Sequence, residues 1–425
     1  MAELFEVALP VPLRTTFTYA AVASRPGGSP ACGARVVVPF RNRALVGVVL
    51  ACTEQAGARD GIREISEVLD GEPALTPALI ALGRWVASYY LAPIGEVFRA
   101  MLPPVVEVRA VQEISRTPAG AEYLRELEAL EERTGDERAE AAILRSFSSD
   151  GAPQRAARLR RLPGGETAIA RLLHRGSLEA RVIARRRSGR AAGVEFASDP
   201  PPEWAPDAPR HALNPDQLRA LEAVRADLAA GKFHVNLLHG VTGSGKTEVY
   251  LGAIEATLAA GRTALVLVPE IALTIALSRL LEARLGREAG VTVLHSALPD
   301  GERSAAWWAV RRGAARVVVG TRSAVFAPLE RLGLVVVDEE QEASYKQEET
   351  PKYHGRDAAL VRAKLEGAVV VLGSATPSLE SYQNARRGKY RLLELPARVE
   401  DRPLARVELV DLREDFQRTH QTRAL

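Results

Sequence analysis

The chain of 425 residues has little cysteine, methionine or aromatic character: two Cys, two Met, and 5% Phe, Trp and Tyr together. Cys32 and Cys52 cannot build a disulfide framework, and they lack the paired CxxC spacing of a structural zinc site. Two reduced thiols are the expectation. No run approaches the roughly eighteen uninterrupted apolar residues that would span a membrane. The opening residues, MAELFEVALPVPL, lack a basic stretch followed by an apolar core and a small-residue cleavage site. A cytoplasmic location with no membrane partner is therefore expected. An excess of one charge is missing too: 56 Lys and Arg against 53 Asp and Glu leave +3, only weakly compatible with a polyanionic partner. No internal repeat or low-complexity tract stands out. What is present is 47% hydrophobic and 26% charged, the composition of a folded globular chain, long enough for about two to four domains.

Residues 1–105 read as a β-rich domain. The Val-rich runs Arg35–Phe40 and Ala44–Leu50 flank a polar break in the manner of a hairpin. A helix is expected over Pro77–Tyr90, with Leu79, Leu82, Val86 and Tyr90 on one face. Residues 110–197 are charged and poor in aromatics. Helices are expected at Leu124–Arg133, Ala139–Phe147 and Ala168–Gly176, followed by a β-ribbon from Leu178. That order suits a winged-helix DNA-binding domain, with Arg155, Arg158, Arg160, Arg161, Arg171 and Arg175 nearby. A solvated charged face is the plainer alternative. The proline-rich stretch 198–212 is expected to be a stiff linker.

From Leu213 the pattern becomes α/β. Asn214 caps a helix with Pro215 at its first position, an apolar stripe of Leu218, Leu221, Val224 and Leu228, and Gly231 as its stop. Short apolar strands at Val235–Leu238, Ala264–Val268, Val291–Leu294, Val317–Val319, Leu334–Val337 and Val369–Leu372 alternate with helices. That alternation indicates a parallel sheet covered on both faces.

Gly240–Thr247 (GVTGSGKT) fits GxxxxGK[ST] between the first of these strands and a helix opening near Lys246. Gly240, Thr242, Gly243, Ser244, Gly245, Lys246 and Thr247 are therefore cofactor-binding candidates. Glycines let backbone N–H groups curl around phosphate oxygens, and the helix N-terminus adds its positive end. Lys246 would reach the β/γ-phosphates of ATP and Thr247 would hold Mg²⁺; a chance glycine-rich turn is the alternative. Asp338-Glu339-Glu340-Gln341 ends the strand Leu334–Val337, at the sheet edge where such folds bind ligands. Asp338 would hold Mg²⁺ directly or through water, and Glu339 would polarise an attacking water. Lys246, Asp338 and Glu339 are thus the catalytic candidates. Gly373–Pro377 (GSATP) follows the last strand and could link the nucleotide site onward by hydrogen bonds. The fold class expected is multidomain: a β-rich N-terminal domain, a winged-helix domain, then an α/β RecA-like P-loop motor lobe with a parallel sheet over 213–400.

The three motifs in this order resemble the first motor lobe of superfamily 2 helicases. The stretches Leu267–Thr274 (LVPEIALT), Leu294-His295-Ser296, Gly320–Phe326 (GTRSAVF), Ser344–Gln347 (SYKQ) and Tyr353–Asp357 (YHGRD) narrow the match. With Val7–Pro12 (VALPVP), Arg35–Phe40 and Tyr89–Val97 (YYLAPIGEV), they resemble the PriA family of replication restart proteins over nearly the whole chain outside 110–200. The resemblance implies recognition of stalled or repaired forks, reloading of the replicative helicase, and a 3′ to 5′ motor that uses ATP and Mg²⁺. It implies forked and single-stranded DNA as partners, with other primosome proteins, single-stranded-DNA-binding protein, and the replicative helicase or its loader. It implies that the N-terminal domain holds a DNA 3′ end at Phe17, Thr18, Tyr19 and Gly33, where rings could stack on a terminal base. Ordinary alternating strand residues are the plainer reading of Phe17 and Tyr19. It implies that Glu342–His354 is an aromatic-rich loop coupling DNA contact to ATP, with Arg322, Tyr345, Lys346 and Tyr353 as DNA-binding candidates. Gln217 joins the cofactor-binding set on the same ground.

The chain departs from the family pattern in four places. Thr18 stands where an acidic residue is common, and Gln341 where the acidic motif usually ends in His; weaker 3′-end selectivity and weaker coupling are the expectations. Zinc is expected for the family, but this chain has no cysteines for that module, so no zinc site is expected here. Residues 401–425 would only open a second motor lobe. ATP binding with slow or absent hydrolysis is the expectation, with a non-enzymatic fork-binding scaffold as the alternative.

Overall fold

Branched and aromatic residues alternate through the N-terminal stretch and pair into one antiparallel sheet in the computed structural model, which describes residues 2–21, 29–41, 43–55, 61–103, 108–130, 132–148, 151–186, 211–399 and 413. The strands β1 (Ala2–Ala8), β2 (Phe17–Ala20), β3 (Arg35–Phe40), β4 (Arg43–Gln55) and β5 (Glu67–Val68) are ordered β2-β1-β4-β3-β5. The expected hairpin is β3–β4, closing at Phe40 opposite Arg43. Thr76 accepts the Leu79 N–H and Pro77 takes the first position, so helix α1 (Pro77–Tyr89) starts where its cap dictates. Helix α2 (Ile94–Met101) follows. Ala8, Val48 and Leu50 pack toward these helices, while Phe5, Val7, Tyr19, Val36 and Val49 form a separate cluster with Ile65.

The middle unit comprises β6 (Val108–Arg116), α3 (Pro118–Ala129), α4 (Gly135–Arg145), β7 (Gln154–Arg155), α5 (Ala156–Leu159), α6 (Gly165–His174) and β8 (Leu178–Arg186). Its strands form an antiparallel sheet, β7-β6-β8, and its helices bury their own cluster around Ile114, Ile143, Leu159 and Leu172. Helices α3 and α4 begin earlier than the apolar pattern suggests. Thr117 with Pro118, and the Thr134/Glu137 capping box, set both starts. The linker expected over 198–212 lies almost wholly outside the described residues, and so does 401–425 apart from Arg413.

The remaining elements are α7 (Pro215–Ala230), β9 (His234–Gly240), α8 (Lys246–Ala259), β10 (Thr263–Leu267), α9 (Ile271–Leu285), β11 (Val291–Leu294), α10 (Asp300–Arg311), β12 (Val317–Gly320), β13 (Leu332–Val337), α11 (Gly355–Glu366), β14 (Val369–Ser374), α12 (Leu379–Arg386) and β15 (Arg391–Leu395). Seven parallel strands run in the order β11-β12-β10-β13-β14-β9-β15. Side chains alternate between two cores: Ala264 and Val266 face α7 and α8, and Leu265 and Leu267 face α10 and α11. Strand β15 is not in the set read from the sequence; it pairs beside β9 as a half-buried edge. The stripe expected on α7 is corrected at Leu218, which is exposed. Gln217 and Asp227 are buried instead, because each has partners beneath the helix: the Ser244 carbonyl for Gln217, and Asn236 and Arg391 for Asp227.

The N-terminal unit packs directly on this sheet. One apolar cluster contains Leu79, Leu82, Val86 and Phe98 together with Trp307, Phe326 and Tyr353. Around it, Arg311 donates to the Pro73 carbonyl (2.7 Å) and Arg312 pairs with Glu72 (2.6 Å). Among the described residues no helix is long and apolar enough to cross a membrane. Phe98 is 1% exposed within the shared cluster. Phe98→Ala is expected to cost about 3–5 kcal/mol, read as a lower urea midpoint at unchanged slope.

Candidate functional site

Strand β9 ends at Gly240, and six residues later α8 begins, so the intervening loop lies across the N-terminus of a fourteen-residue helix. Gly243 (φ 80°) and Gly245 (φ 77°) take left-handed backbone that other residues avoid. Thr242 and Gly243 are exposed, and Gly245, Lys246 and Thr247 are half-buried. The Ser244 hydroxyl is buried with no hydrogen-bond partner among the described residues. Gln217 braces the loop from below: its Nε2 donates to the Ser244 carbonyl (2.8 Å) and its Oε1 accepts the Asn214 N–H (2.9 Å). Both its polar ends are thus engaged inside the protein.

Across the loop, β13 runs out into the acidic motif. Lys246 Nζ donates to the Gly240 carbonyl (3.1 Å) and lies 3.6 Å from Glu339. The Tyr250 hydroxyl donates to Asp338 Oδ1 (2.9 Å). Burial pushes the Asp338 carboxyl above the usual carboxylate range; the Tyr250 hydrogen bond and the Lys246 charge oppose it. The buried Tyr250 hydroxyl is itself pushed well up, first by burial and then by Asp338. Gln341 donates to Glu339 (2.9 Å) and accepts from Ser374 Oγ (2.6 Å). Glu340 is fully buried and faces away from the loop, taking bonds from Arg356, Ser378 and Ser381.

These residues fit a nucleoside triphosphate with Mg²⁺. A helix N-terminus, the loop backbone and an ammonium stand against phosphate, and the Ser244 hydroxyl is buried there without a partner among the described residues. Thr247 and Asp338 offer two oxygen ligands, which is what Mg²⁺ takes from protein when phosphates and water supply the rest. Among the described residues no cluster of three or more His, Cys, Asp or Glu could hold a metal by itself, and Cys32 and Cys52 are exposed.

The DNA-binding candidates fall in two places. Phe17, Thr18 and Tyr19 lie on β2, the sheet edge. Thr18 is exposed, and Phe17 is half-buried edge-on to Phe40 (5.1 Å). Tyr19 is corrected: it is 4% exposed and its hydroxyl donates to the Pro39 carbonyl, so its ring has no face for a base. Gly33 is buried with φ 88°, and a Cβ there would overlap the Leu75 carbonyl, so the turn itself requires glycine. In the second place, Tyr345 and Tyr353 are corrected likewise. Both are core residues at 0% and 1% exposure; Tyr345 donates to the Asp338 carbonyl (2.7 Å), and Tyr353 packs on Phe326 (5.0 Å). Arg322 spends its Nη1 on the Ser344 and Lys346 carbonyls. Lys346 stays exposed, 5.1 Å over the Tyr90 ring.

Sequence reasoning missed Tyr250, Glu340 and Arg356 as parts of the site. Tyr250 had a signal: it lies four residues after Lys246 and so on the same helix face. A Cβ at Gly373 would overlap the Tyr250 hydroxyl, so the end of β14 beside that tyrosine requires glycine.

Two family models match the chain: the PriA-type 3′DNA-binding domain over residues 6–103 and the DEAD/DEAH box helicase over 214–385. Replication restart protein PriA of Bacillus subtilis is 34% identical across 90% of this chain and 54% of that protein. The Haemophilus influenzae PriA is 32% identical across 97% and 54%, and the Synechocystis PriA 46% identical across 49% and 25%. The chain spans about half the length of the first of these relatives. Among solved structures, RecG bound to a three-way DNA junction matches at 26% identity over 45% of this chain and 25% of that one, with a TM-score of 0.36.

Tyr250→Phe removes the donor to Asp338 and keeps the ring. A hydrogen bond to a charged group is worth about 1.5–3 kcal/mol, so the Mg²⁺-dependent part of ATP-analogue binding is expected to weaken about ten-fold or more. Metal-free binding is expected to hold. Protonated Asp338 cannot hold a cation, so metal support is present above the raised Asp338 value and is lost as pH falls through it. In the Phe variant that loss begins at a higher pH. Titration of a fluorescent ATP analogue with Mg²⁺ across pH measures both.

Proposed function

The chain belongs to the PriA family through its 3′DNA-binding and helicase domains, and from that premise we propose that it acts in replication restart as an ATP-binding, DNA-directed motor unit. It recognises stalled or repaired forks, engages a 3′-ended strand through the N-terminal unit, and promotes reloading of the replicative helicase. Its further partners on this reading are other primosome proteins and single-stranded-DNA-binding protein. The observation that carries the reading is the convergence of Lys246, Asp338 and Glu339 at one sheet edge, in a lobe that shares an apolar core with the 3′DNA-binding domain. Lys246 and Thr247 would hold phosphate and Mg²⁺, Asp338 the same cation, and Glu339 the water that attacks. When bound, the cation would neutralise developing charge on the phosphate.

At the DNA side, exposed Thr18 and half-buried Phe17 stand on β2, and Lys346 and Lys352 are exposed cations of the loop at 342–354. The middle unit acts as a winged-helix duplex contact. Arg155, Arg158, Arg160, Arg161 and Arg175 are exposed on or beside α5 and α6. Arg171 instead is tied to Glu140 (2.6 Å) and Asp136 (3.0 Å), so it serves the fold.

ATP turnover with and without forked DNA tests the motor reading. The wild type is expected to show at most a slow rate that forked DNA raises, and Lys246→Ala to abolish it while fork binding persists. No turnover in either protein, with intact fork binding, would leave a scaffold. A fork ending in a 3′-phosphate is expected to bind several-fold more weakly than one ending in a 3′-hydroxyl; equal binding would overturn the 3′-end reading.

A further inference from the structure

Lys246, Asp338 and Glu339 mark the terminal-phosphate end of the nucleotide site, at the start of α8 and the end of β13. In the strand order β13-β14-β9-β15 the phosphate loop leaves β9, and β15 lies on the side of β9 away from β13. A triphosphate with its last phosphate on Lys246 therefore carries its ribose and base toward β15 and the first turn of α7. Neither element holds a catalytic candidate.

A short strap of chain closes this flank. Residues 396–399 leave β15 and are bonded to the phosphate loop at both ends. The Val241 N–H donates to the Leu395 carbonyl (3.2 Å), and the Val399 N–H donates to the Gly243 carbonyl (3.0 Å). Side chains meet there as well. A Cβ at Gly245 would overlap Gln217 Nε2 and stand 3.2 Å from a Val399 methyl, so Gln217, Gly245 and Val399 come together at one point. The polar groups on this side are already engaged: Gln217 holds the Ser244 carbonyl and the Asn214 N–H, and Asn214 Oδ1 accepts the Gln217 N–H (2.8 Å). Gln217 is 3% exposed, whereas the Val399 side chain beside it is 43% exposed. A lone exposed apolar residue needs no explanation. Val399 differs in being fixed by its own backbone to the phosphate loop, on the side to which the base is carried.

We propose that Val399 is a base-contacting wall of the nucleotide site, and that the strap at 396–399 is held against the phosphate loop more firmly when a base covers it. The face of a base is flat and apolar, and a fixed isopropyl group gains by covering it without any hydrogen bond. The contact exists only while the strap lies on the loop, so base and strap stabilise each other by the same factor. The inference rests on the ATP-binding reading above and adds to it the residue that meets the base.

The test is displacement of a fluorescent ATP analogue, in the presence of Mg²⁺, by ATP and by ribose 5-triphosphate, the same ligand without its base. Val399→Ala removes two methyl groups and keeps the backbone donor to Gly243. It is expected to weaken ATP about three- to ten-fold, the scale of the valine surface still open to cover, and ribose 5-triphosphate less than about two-fold. Val399→Ile is expected to retain wild-type affinity for both. Trypsin cleavage after Arg398, which lies in the strap, reads the unaltered chain. At saturating ligand ATP is expected to slow that cleavage about three- to ten-fold more than ribose 5-triphosphate does, because the base contact lowers the open population of the strap by its own factor. Equal losses on the two ligands in Val399→Ala, unchanged ATP affinity, or equal protection of Arg398 by both ligands overturns the proposal. Wild-type protein that binds ribose 5-triphosphate as tightly as ATP also overturns it and leaves the phosphate site standing. Wild-type protein that binds neither ligand sinks the ATP-binding reading, and the base wall with it.

Discussion

A carboxylate with no access to water must be given donors, and Glu340 is such a group. It receives Arg356 Nη1 at 2.8 Å, the Ser378 N–H at 2.7 Å, the Ser378 hydroxyl at 3.1 Å and the Ser381 hydroxyl at 2.9 Å. Those donors come from the first turns of α11 and α12, so one buried charge ties the end of β13 to two helices. The residue before it, Glu339, has a left-handed backbone (φ 45°), a conformation that surrounding structure must hold in place. The turn sends successive side chains apart: Asp338 to Tyr250, Glu339 to Lys246, Glu340 into the core. The one acid with a purely structural task thereby fixes the two that face the phosphate loop.

The same strand end is joined to the N-terminal unit through short steps. Tyr345 holds the Asp338 carbonyl, Arg322 holds the backbone at Ser344 and Lys346, and Lys346 pairs with His354 as an isolated bridge. The His354 N–H then donates to the Tyr90 hydroxyl at the end of α1 (3.2 Å). Burial pushes the Tyr90 phenol up, so it stays neutral and keeps its hydrogen. The aromatic residues of this segment therefore act as internal struts, and Lys346 beside them stays exposed.

Much of the fold was legible because its signals are local. Asn214, Pro215 and Gly231 mark both ends of α7, and short Val-rich runs mark six of the seven parallel strands. The seventh, β15, reads RLLEL and is half-buried at an edge, so neither alternation nor a continuous apolar run betrays it. The phosphate loop was legible for the same reason, since its glycines and lysine are contiguous. Tyr19, Tyr345 and Tyr353 were misjudged because an aromatic ring is equally suited to a core and to a base, and composition carries no sign of which side of the backbone faces inward.

Gln341 shows what an amide does in a position where direction matters. Its Nε2 donates to Glu339 and its Oε1 accepts from Ser374, whose hydroxyl oxygen also accepts the Thr376 N–H. The bonds therefore run unbroken from a catalytic candidate to the Gly373–Pro377 turn. An imidazole could serve both ends only in one tautomer and would change its bonding with protonation. An amide carries donor and acceptor together at every physiological pH, provided it is not flipped. Its flip is set here from both sides, because a carboxylate can only accept and the Ser374 oxygen already receives one donor. Whatever passes along this link thus depends on geometry rather than on proton occupancy.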